Sequence, residues 1–552
     1  MKLNILTTSI LLLFSFMIHA QIGNVRQLTE KITQYDRSDF RIELKGKWTN
    51  PYLQEEVTLD MLVTTPSGEN LVVPCYYESG ESGKVSVWMA RFTPRESGEY
   101  QYQFELKGKN VKRNVSGKQS FTAEKSDLNG FLNTENDWIL RFDNGMPFRG
   151  VAENICWESR INDDSRFFKE LHERGDIFNY DRMIPKFAKN GGNFVRVWMC
   201  SWNFPIDRKD NFNNSRYEPS EEYFNRSVVE RLDHFIDLCE KENVYVMLCL
   251  GQGDVNADNN FFIDSEAKKR YKNRLRYIVA KWGYSPNIAM WEFFNEIDNI
   301  KFRNEKNPIP DEAIVSWHEE MSTYLKGLDP YKHIVTTSIS HRDIEGLNSV
   351  KNIDINQKHI YNNTDILSSE IVKYVEEFNK PYIIGEFGRE WDWSKNFDDF
   401  SHEMDIDFKR GLWYGIFSPT PVTPMSWWWE YFDARGMTPY FRGVREINDR
   451  MLSAGKGKFE SLTVNAGDFH AYGVKCGDEV YVYLYNPKNS TIITDIEIDL
   501  PGTVGNYRCE SYEPAMRVYN EVDHIYASDG KITLKGEILG SNCELLYIIS
   551  KK

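Results

Sequence analysis

The chain opens on short runs in which every second residue is apolar. Between about residues 40 and 122, stretches such as Val57-Thr58-Leu59-Asp60-Met61-Leu62-Val63 and Tyr100-Gln101-Tyr102-Gln103-Phe104-Glu105-Leu106 are separated by Pro-Ser-Gly, Glu-Ser-Gly and Gly-Lys-Asn turns. Alternation of period two bounded by turn residues predicts half-buried antiparallel strands. The whole segment, 25–125, reads as a β-sandwich. Trp88-Met89-Ala90-Arg91-Phe92 followed by Gly98-Glu99-Tyr100 fits a core hairpin that needs no ligand.

The rhythm changes across 129–454, where compact β-type runs alternate with longer amphipathic segments. That alternation predicts βα units around a parallel sheet. Eight runs can be counted, at 148–152, 193–199, 244–250, 289–294, 334–338, 353–360, 382–385 and 425–429, with helical stretches at 181–189, 227–242, 266–282, 311–328, 370–378 and 400–410. Eight units are what a closed (β/α)8 barrel, the TIM barrel, requires. Alternating strands return over 455–552, as in Glu479-Val480-Tyr481-Val482-Tyr483-Leu484-Tyr485, and predict a small C-terminal antiparallel β-domain. The fold class expected is therefore multidomain, a barrel flanked by two β-domains.

At the start, Lys2, an apolar run from Ile10 to Ile18 and then His19-Ala20-Gln21 read as a signal peptide over 1–20, which predicts a secreted or periplasmic bacterial protein. The run is too short for a spanning helix, and no later segment of that length is free of charge. The chain carries 82 acidic against 67 basic residues, a net charge of -15, which works against binding a nucleic acid. Eight cysteines lie far apart with no Cys-x-x-Cys pair, so neither a zinc site nor a redox motif is expected. Cys200, Cys239 and Cys249 read as small buried hydrophobes. No metal-binding helix, phosphate loop or calcium loop is present, so neither a cofactor nor a metal is expected. Aromatic residues reach 14%, and tryptophans gather near predicted strand ends, which suits a surface that stacks on flat ligand faces.

A barrel presents its site at the C-terminal ends of its strands. Two carboxylates stand there. The fourth run, Met290-Trp291-Glu292-Phe293-Phe294, ends in Asn295-Glu296, and the seventh, Tyr382-Ile383-Ile384, ends in Gly385-Glu386-Phe387-Gly388. Acids converging from facing strands can serve a glycosidase, in which one carboxyl protonates the leaving oxygen and the other attacks the anomeric carbon. A separation near 5 Å serves retention and a larger one inversion. Both outcomes are open to the sequence.

These residues also carry a resemblance. Asn295-Glu296 and Ile384-Gly385-Glu386-Phe387-Gly388 resemble the acid/base and nucleophile motifs of the clan A glycoside hydrolases, closest to the cellulase-like family 5 group, over roughly residues 130 to 450. Supporting matches are Arg196 in Phe194-Val195-Arg196-Val197-Trp198, His359, Tyr361 and a tryptophan among 427–429, and the N-terminal sandwich is similar to the uncharacterised β-domain preceding many such barrels. The resemblance implies Glu296 as general acid/base, Glu386 as nucleophile and Asn295 on the sugar 2-hydroxyl. It further implies Arg196 and Tyr361 holding Glu386 ionised, and His359 orienting the pair or the sugar. Two positions depart from the pattern: Ile297-Asp298 stands where the family places Pro after the acid/base, and Gly251-Gln252-Gly253-Asp254 where it often presents His.

Around this pair, Glu292 sits two pleats before Glu296 and reads as part of a buried structural network. Trp427 or Trp429 is the stacking candidate and Trp428 the last choice, because neighbouring strand residues alternate. Trp157, Trp198, Trp202, Trp391 and Trp393 are expected to line the cleft, and Glu390, Asp392, Glu430, Asp433, Asp254 and Asn256 are weaker candidates for sugar hydroxyls. The function expected is a retaining glycoside hydrolase on β-linked plant or algal polysaccharide or its oligosaccharides. A non-catalytic carbohydrate-binding protein on a degenerate barrel and a transglycosylase are the alternatives.

Overall fold

A computed structural model describes residues 21–551 apart from 110, 159–178, 202, 214–215, 220–223, 252–258, 391 and 393. The signal segment 1–20, Trp202, Trp391, Trp393, Asp254 and Asn256 lie outside the described residues.

The N-terminal β-rich domain is two facing sheets. One pairs Gln21–Gln27, Ser38–Lys45, Val85–Phe92 and Tyr76–Ser79; the other is built around Gly98–Gly108 and Thr58–Thr64. Alternate residues Phe40, Ile42, Leu44, Leu59, Met61, Val63, Phe104 and Leu106 are buried between them, as period-two patterning requires. Two arginine links tie this domain to the barrel helices. Arg91 donates to Asp233 at 2.9 Å and to the Lys281 carbonyl at 3.0 Å, and Arg276 donates to Asp60 at 2.5 Å.

The central domain has parallel strands β1 (Ala152–Asn154), β2 (Phe194–Trp198), β3 (Tyr245–Cys249), β4 (Ile288–Glu292) and β5 (Ile334–Thr336) in one sheet. Ser338–Ile339, continuing β5, pairs with β6 (Asn356–Tyr361), and β6 pairs with β7 (Tyr382–Gly388), again in parallel. An eighth stretch bonds on both sides: Gly150 N–H donates to Pro421 and Thr423 N–H to Gly150, while Met425 N–H donates to Ile384 and Phe387 N–H to Met425. Between these strands run α1 (Asn179–Lys189), α2 (Arg226–Glu242), α3 (Ser265–Trp282), α4 (Ile297–Lys301), α5 (Asp311–Leu328), α6 (Leu367–Phe378), α7 (Ser401–Ile416), α8 (Trp429–Ala434) and α9 (Phe441–Gly455).

Two strand expectations are corrected. Residues 147–148 belong to a small antiparallel sheet with Leu132–Thr134 and Leu140–Phe142, and the first parallel strand starts at Ala152. Leu132, Leu140, Phe142 and Phe148 from that sheet pack with Ala152, Phe194, Met247, Met290, Ile334, Ile383 and Met425, one buried layer inside the strand ring. The eighth run is centred on 422–426 rather than 425–429. Pro421 and Pro424 have no N–H, so this stretch makes only isolated bridges, and its aromatic end leaves the sheet to begin α8.

The C-terminal domain is a nine-stranded, antiparallel sheet. It docks on the barrel through Tyr483, which stacks on Trp413 with ring centres 5.6 Å apart. Glu544 accepts hydrogen bonds there from Tyr440 and Tyr483.

Candidate active site

Strand ends bring most of the expected residues to one point. Arg196, fully buried on β2, donates Nε and Nη2 to Glu292 at 2.7 and 2.8 Å, Nη1 to Glu386 at 2.6 Å and Nη2 to Asn295 Oδ1 at 2.7 Å. Tyr361 donates its hydroxyl to Glu386 at 2.5 Å. His359 Nδ1 lies 2.9 Å from Glu296 and 3.4 Å from Glu386. An oxygen of Glu296, a nitrogen of His359 and an oxygen of Glu386 all lie within 4.8 Å of one another. These three are also the donors that could hold a metal ion, but Arg196 already places a cation on Glu386.

Local backbone features make this convergence. The β6–β7 register slips so that Lys358 pairs with Ile384 and His359 with Glu386, leaving Gly385 as an extra residue. A Cβ on Gly385 would stand 2.8 Å from Gln357 Cδ and 2.9 Å from His359 Nε2, so only glycine lets the histidine lie against this strand. Glu296 adopts a left-handed conformation with φ 50°, which an ordinary residue holds only when its surroundings impose it. Here its N–H donates to Ser338 Oγ at 2.9 Å, and its carboxylate accepts from Asn299 Nδ2 at 2.7 Å.

Burial pushes the Glu386 carboxyl above the ordinary range, with His359 and Arg196 pulling against it and Glu296 adding to it. Glu296 is also penalised by burial, yet its hydrogen bond and charge interaction with His359, aided by Ser340 and Arg196, bring it below that range. Arg196 and Tyr361 pull Glu386 toward ionisation as expected, and burial works against them. The guanidinium is forked onto Glu292 and shared with Glu386, whereas Glu296 has His359 beside it.

Glu292 does form the buried network expected of it, accepting also from Gln357 Nε2 at 2.7 Å. Sequence reasoning missed Gln357 and Asn154. Asn154 donates to the Gly385 and Ser426 carbonyls at 2.9 and 3.1 Å and accepts from Arg196 at 3.3 Å, so it ties β1, β7 and the eighth stretch to the arginine. Both come from strand segments whose order around the ring is invisible in a linear pattern.

The tryptophans form one cluster. Trp157 meets Trp198, Trp427 and Trp429 at ring-centre distances of 5.3, 5.5 and 4.7 Å, and Trp198 meets Trp427 at 5.1 Å. Trp157 and Trp427 are half-buried, but Trp429 is 1% exposed as the first residue of α8. The reading of Trp429 as a stacking surface is corrected to a buried support. Trp428 is buried too and donates to the Arg389 carbonyl at 2.7 Å. Asp433 is taken up by Arg182 and Lys186 of α1.

Residues 166–406 match the cellulase family, glycosyl hydrolase family 5, and residues 31–107 match a domain of unknown function, DUF5060. The family 5 match falls on the central domain. Among curated relatives of the family 5 segment, mannan endo-1,4-beta-mannosidase 3 of Oryza sativa subsp. japonica is 22% identical over 209 residues, 33% of this chain and 41% of that protein. The chain thus spans about two-fifths of that relative's length. A candidate glycoside hydrolase from Bacteroides vulgatus ATCC 8482 superposes with a TM-score of 0.68 at 14% identity, covering 95% of this chain and all of its own. A family 5 glycoside hydrolase of the same organism gives 0.53 at 15% identity over 77% and 94% of the two chains. At that identity the two structures speak to fold.

Proposed function

We propose that this protein is a retaining glycoside hydrolase, secreted or periplasmic, that cuts β-linked polysaccharide within a closed (β/α)8 barrel. The observation that carries the reading is the approach of Glu296 and Glu386 to within 4.8 Å, close to the ~5 Å at which one carboxylate reaches the anomeric carbon with no water between. Glu386 attacks that carbon while Glu296 protonates the leaving oxygen. Glu296 then takes a proton from the water that releases the sugar. Asn295 is held through Oδ1 by Arg196, which leaves its amide NH2 as the group for a sugar hydroxyl. Trp427 and Trp157 offer half-buried faces for the ring.

The rice relative's name supports a β-1,4-mannan backbone as the substrate class. Purified protein should release oligosaccharides from β-mannan or glucomannan in preference to cellulose, xylan or laminarin, with the first product keeping its anomeric configuration by proton NMR. Inverted product would sink the two-glutamate reading, and tight glycan binding with no release would leave a binding protein.

The coupled pair has a kinetic signature. The reactive form holds one proton, on Glu296, with Glu386 ionised beside it. The pair must lose one proton and keep one, so kcat/KM follows a bell. Its acid limb should fall below the ordinary glutamate range, where Glu296 titrates, and its alkaline limb above that range, where Glu386 does. Replacing His359 with Ala removes the group holding Glu296 down and should move the acid limb to higher pH. An unmoved limb would break the assignment.

A further inference from the structure

Arg196 is fully buried with all five of its N–H donors taken. Nε and one Nη2 hydrogen go to Glu292, the other Nη2 hydrogen to Asn295, and the two on Nη1 to Glu386 and Asn154, over 2.6 to 3.3 Å. One cation therefore faces two carboxylates, and its fork closes on Glu292 rather than on Glu386. Arg196, Glu292 and Gln357 come from β2, β4 and β6, alternate strands of the kind that fill one layer of a barrel. Glu292 is 0% exposed there, so a sugar in the cleft does not touch it, and its Oε1 also accepts from Gln357 Nε2 at 2.7 Å.

The guanidinium charge is thus balanced by Glu292 before Glu386 is counted. What reaches Glu386 is a directed hydrogen bond with little net charge behind it. A lone arginine beside a carboxylate lowers its proton affinity. Nucleophilicity falls with proton affinity, so such a pairing would also blunt the attack.

We infer that Glu292 is a positioning residue for the nucleophile: by holding and neutralising Arg196, it lets the guanidinium aim Glu386 without quenching it. The inference rests on the glycosidase reading and deepens it. In the first step a Glu386 oxygen bonds the anomeric carbon, the bond to the leaving oxygen breaks with its electron pair, and that oxygen takes the Glu296 proton. In the second, a water oxygen bonds the same carbon, a water proton goes to Glu296, and the ester electron pair returns to Glu386. A quenched Glu386 attacks more slowly but leaves more readily. Loss of the Glu292 charge should therefore slow the first step and spare the second, whereas loss of mere shape would slow both.

Glu292→Gln keeps the size and removes the charge. Its amide oxygen can accept from Arg196 Nε, and Gln357, whose Oε1 has no hydrogen-bond partner among the described residues, can turn to accept from the amide nitrogen. Arg196 keeps Glu386, so no buried cation is left without a carboxylate. The full-length protein is given a 2-fluoro dinitrophenyl glycoside of an oligosaccharide that it cleaves. Dinitrophenolate release reads the first step, and recovery of activity after removal of the reagent reads the second. Release should slow by about 10- to 100-fold, with recovery unchanged or faster. Equal slowing of both steps, or unchanged release, would overturn the inference. Should Glu292→Gln not fold, the exchange of Glu292→Gln with Gln357→Glu, which keeps volume and net charge, takes its place: recovery at the native rate upholds the link, and equal slowing of both steps ends it.

If the native protein cleaves no glycan, the function proposed above fails separately. The Glu386 carboxyl, followed by carbon NMR and assigned against Glu386→Gln, then decides. The charged and titratable groups around it are Arg196 from β2, His359 and Tyr361 from β6, Glu296 after β4 and Cys156 after β1, and of these Arg196 is the one that Glu292 holds. A downward shift in Glu292→Gln upholds the link, and an unchanged titration ends it.

Discussion

Glu386→Gln is expected to lower kcat on the natural glycan by about 10⁴-fold or more while leaving the protein folded, because it removes the attacking group and not merely a neighbour. The amide oxygen can still accept from Arg196, which stands 2.6 Å from the native carboxylate, and the amide nitrogen can donate to Tyr361. Arg196 keeps its two bonds to Glu292, so no buried cation is left without a carboxylate. Steady-state hydrolysis, circular dichroism and a glycan-binding titration check this together. Catalysis should vanish while binding stays within about 10-fold. Activity within about 10-fold of the native enzyme would require another nucleophile.

A second large effect is expected far from the chemistry. Arg149 is buried at the foot of the barrel, and its guanidinium donates to four backbone carbonyls, those of Gly415, Ile416, Ser418 and Thr420, at 2.7 to 3.0 Å. Gly415 and Ile416 close α7, whose last carbonyls have no partner within the helix. The charge also lies at the negative end of the helix dipole, and the Trp138 ring sits 5.2 Å from it. Arg149→Met fills similar space but leaves the buried Ile416 and Thr420 carbonyls without their donor, while Gly415 and Ser418 keep the N–H groups of Ser418 and Thr420, at a cost of about 2–4 kcal/mol. Lysine has too compact a head to reach all four and should recover only part. The denaturation midpoint followed by tryptophan fluorescence reads the loss. Below it, kcat should change by less than about 3-fold, since none of these contacts reaches the strand ends that carry Glu296 and Glu386.

The catalytic pair is legible in the sequence because each glutamate ends an apolar run at the face where barrels concentrate polar residues. Arg196 and Glu292 stand out for the same reason, as charges inside runs otherwise buried. Asn154, Gln357 and Ser340 do not: each is an ordinary polar residue whose significance comes from which strand lies next to it. Trp427, Trp428 and Trp429 mislead in the other direction. An unbroken apolar run looks like a strand, but the prolines at 421 and 424 already limit the pairing, and the tryptophans begin a turn and a helix. Proton affinities are illegible as well, since they depend on Arg196 being divided between two acids while His359 sits on a third.

The arginine links between sandwich and barrel also bear on the order in which the protein is made. The last sandwich strand, Gln119–Glu124, leaves the ribosome before α2 and α3 have been translated. Domains fold as units, and in an exported chain the sandwich also emerges first beyond the membrane, so it is complete while Asp60 and Arg91 still face water. When Asp233 and Arg276 emerge they meet partners already fixed in place. The first barrel helices are thus laid against a finished surface, and a chain started at residue 129 would have to find their arrangement without that template.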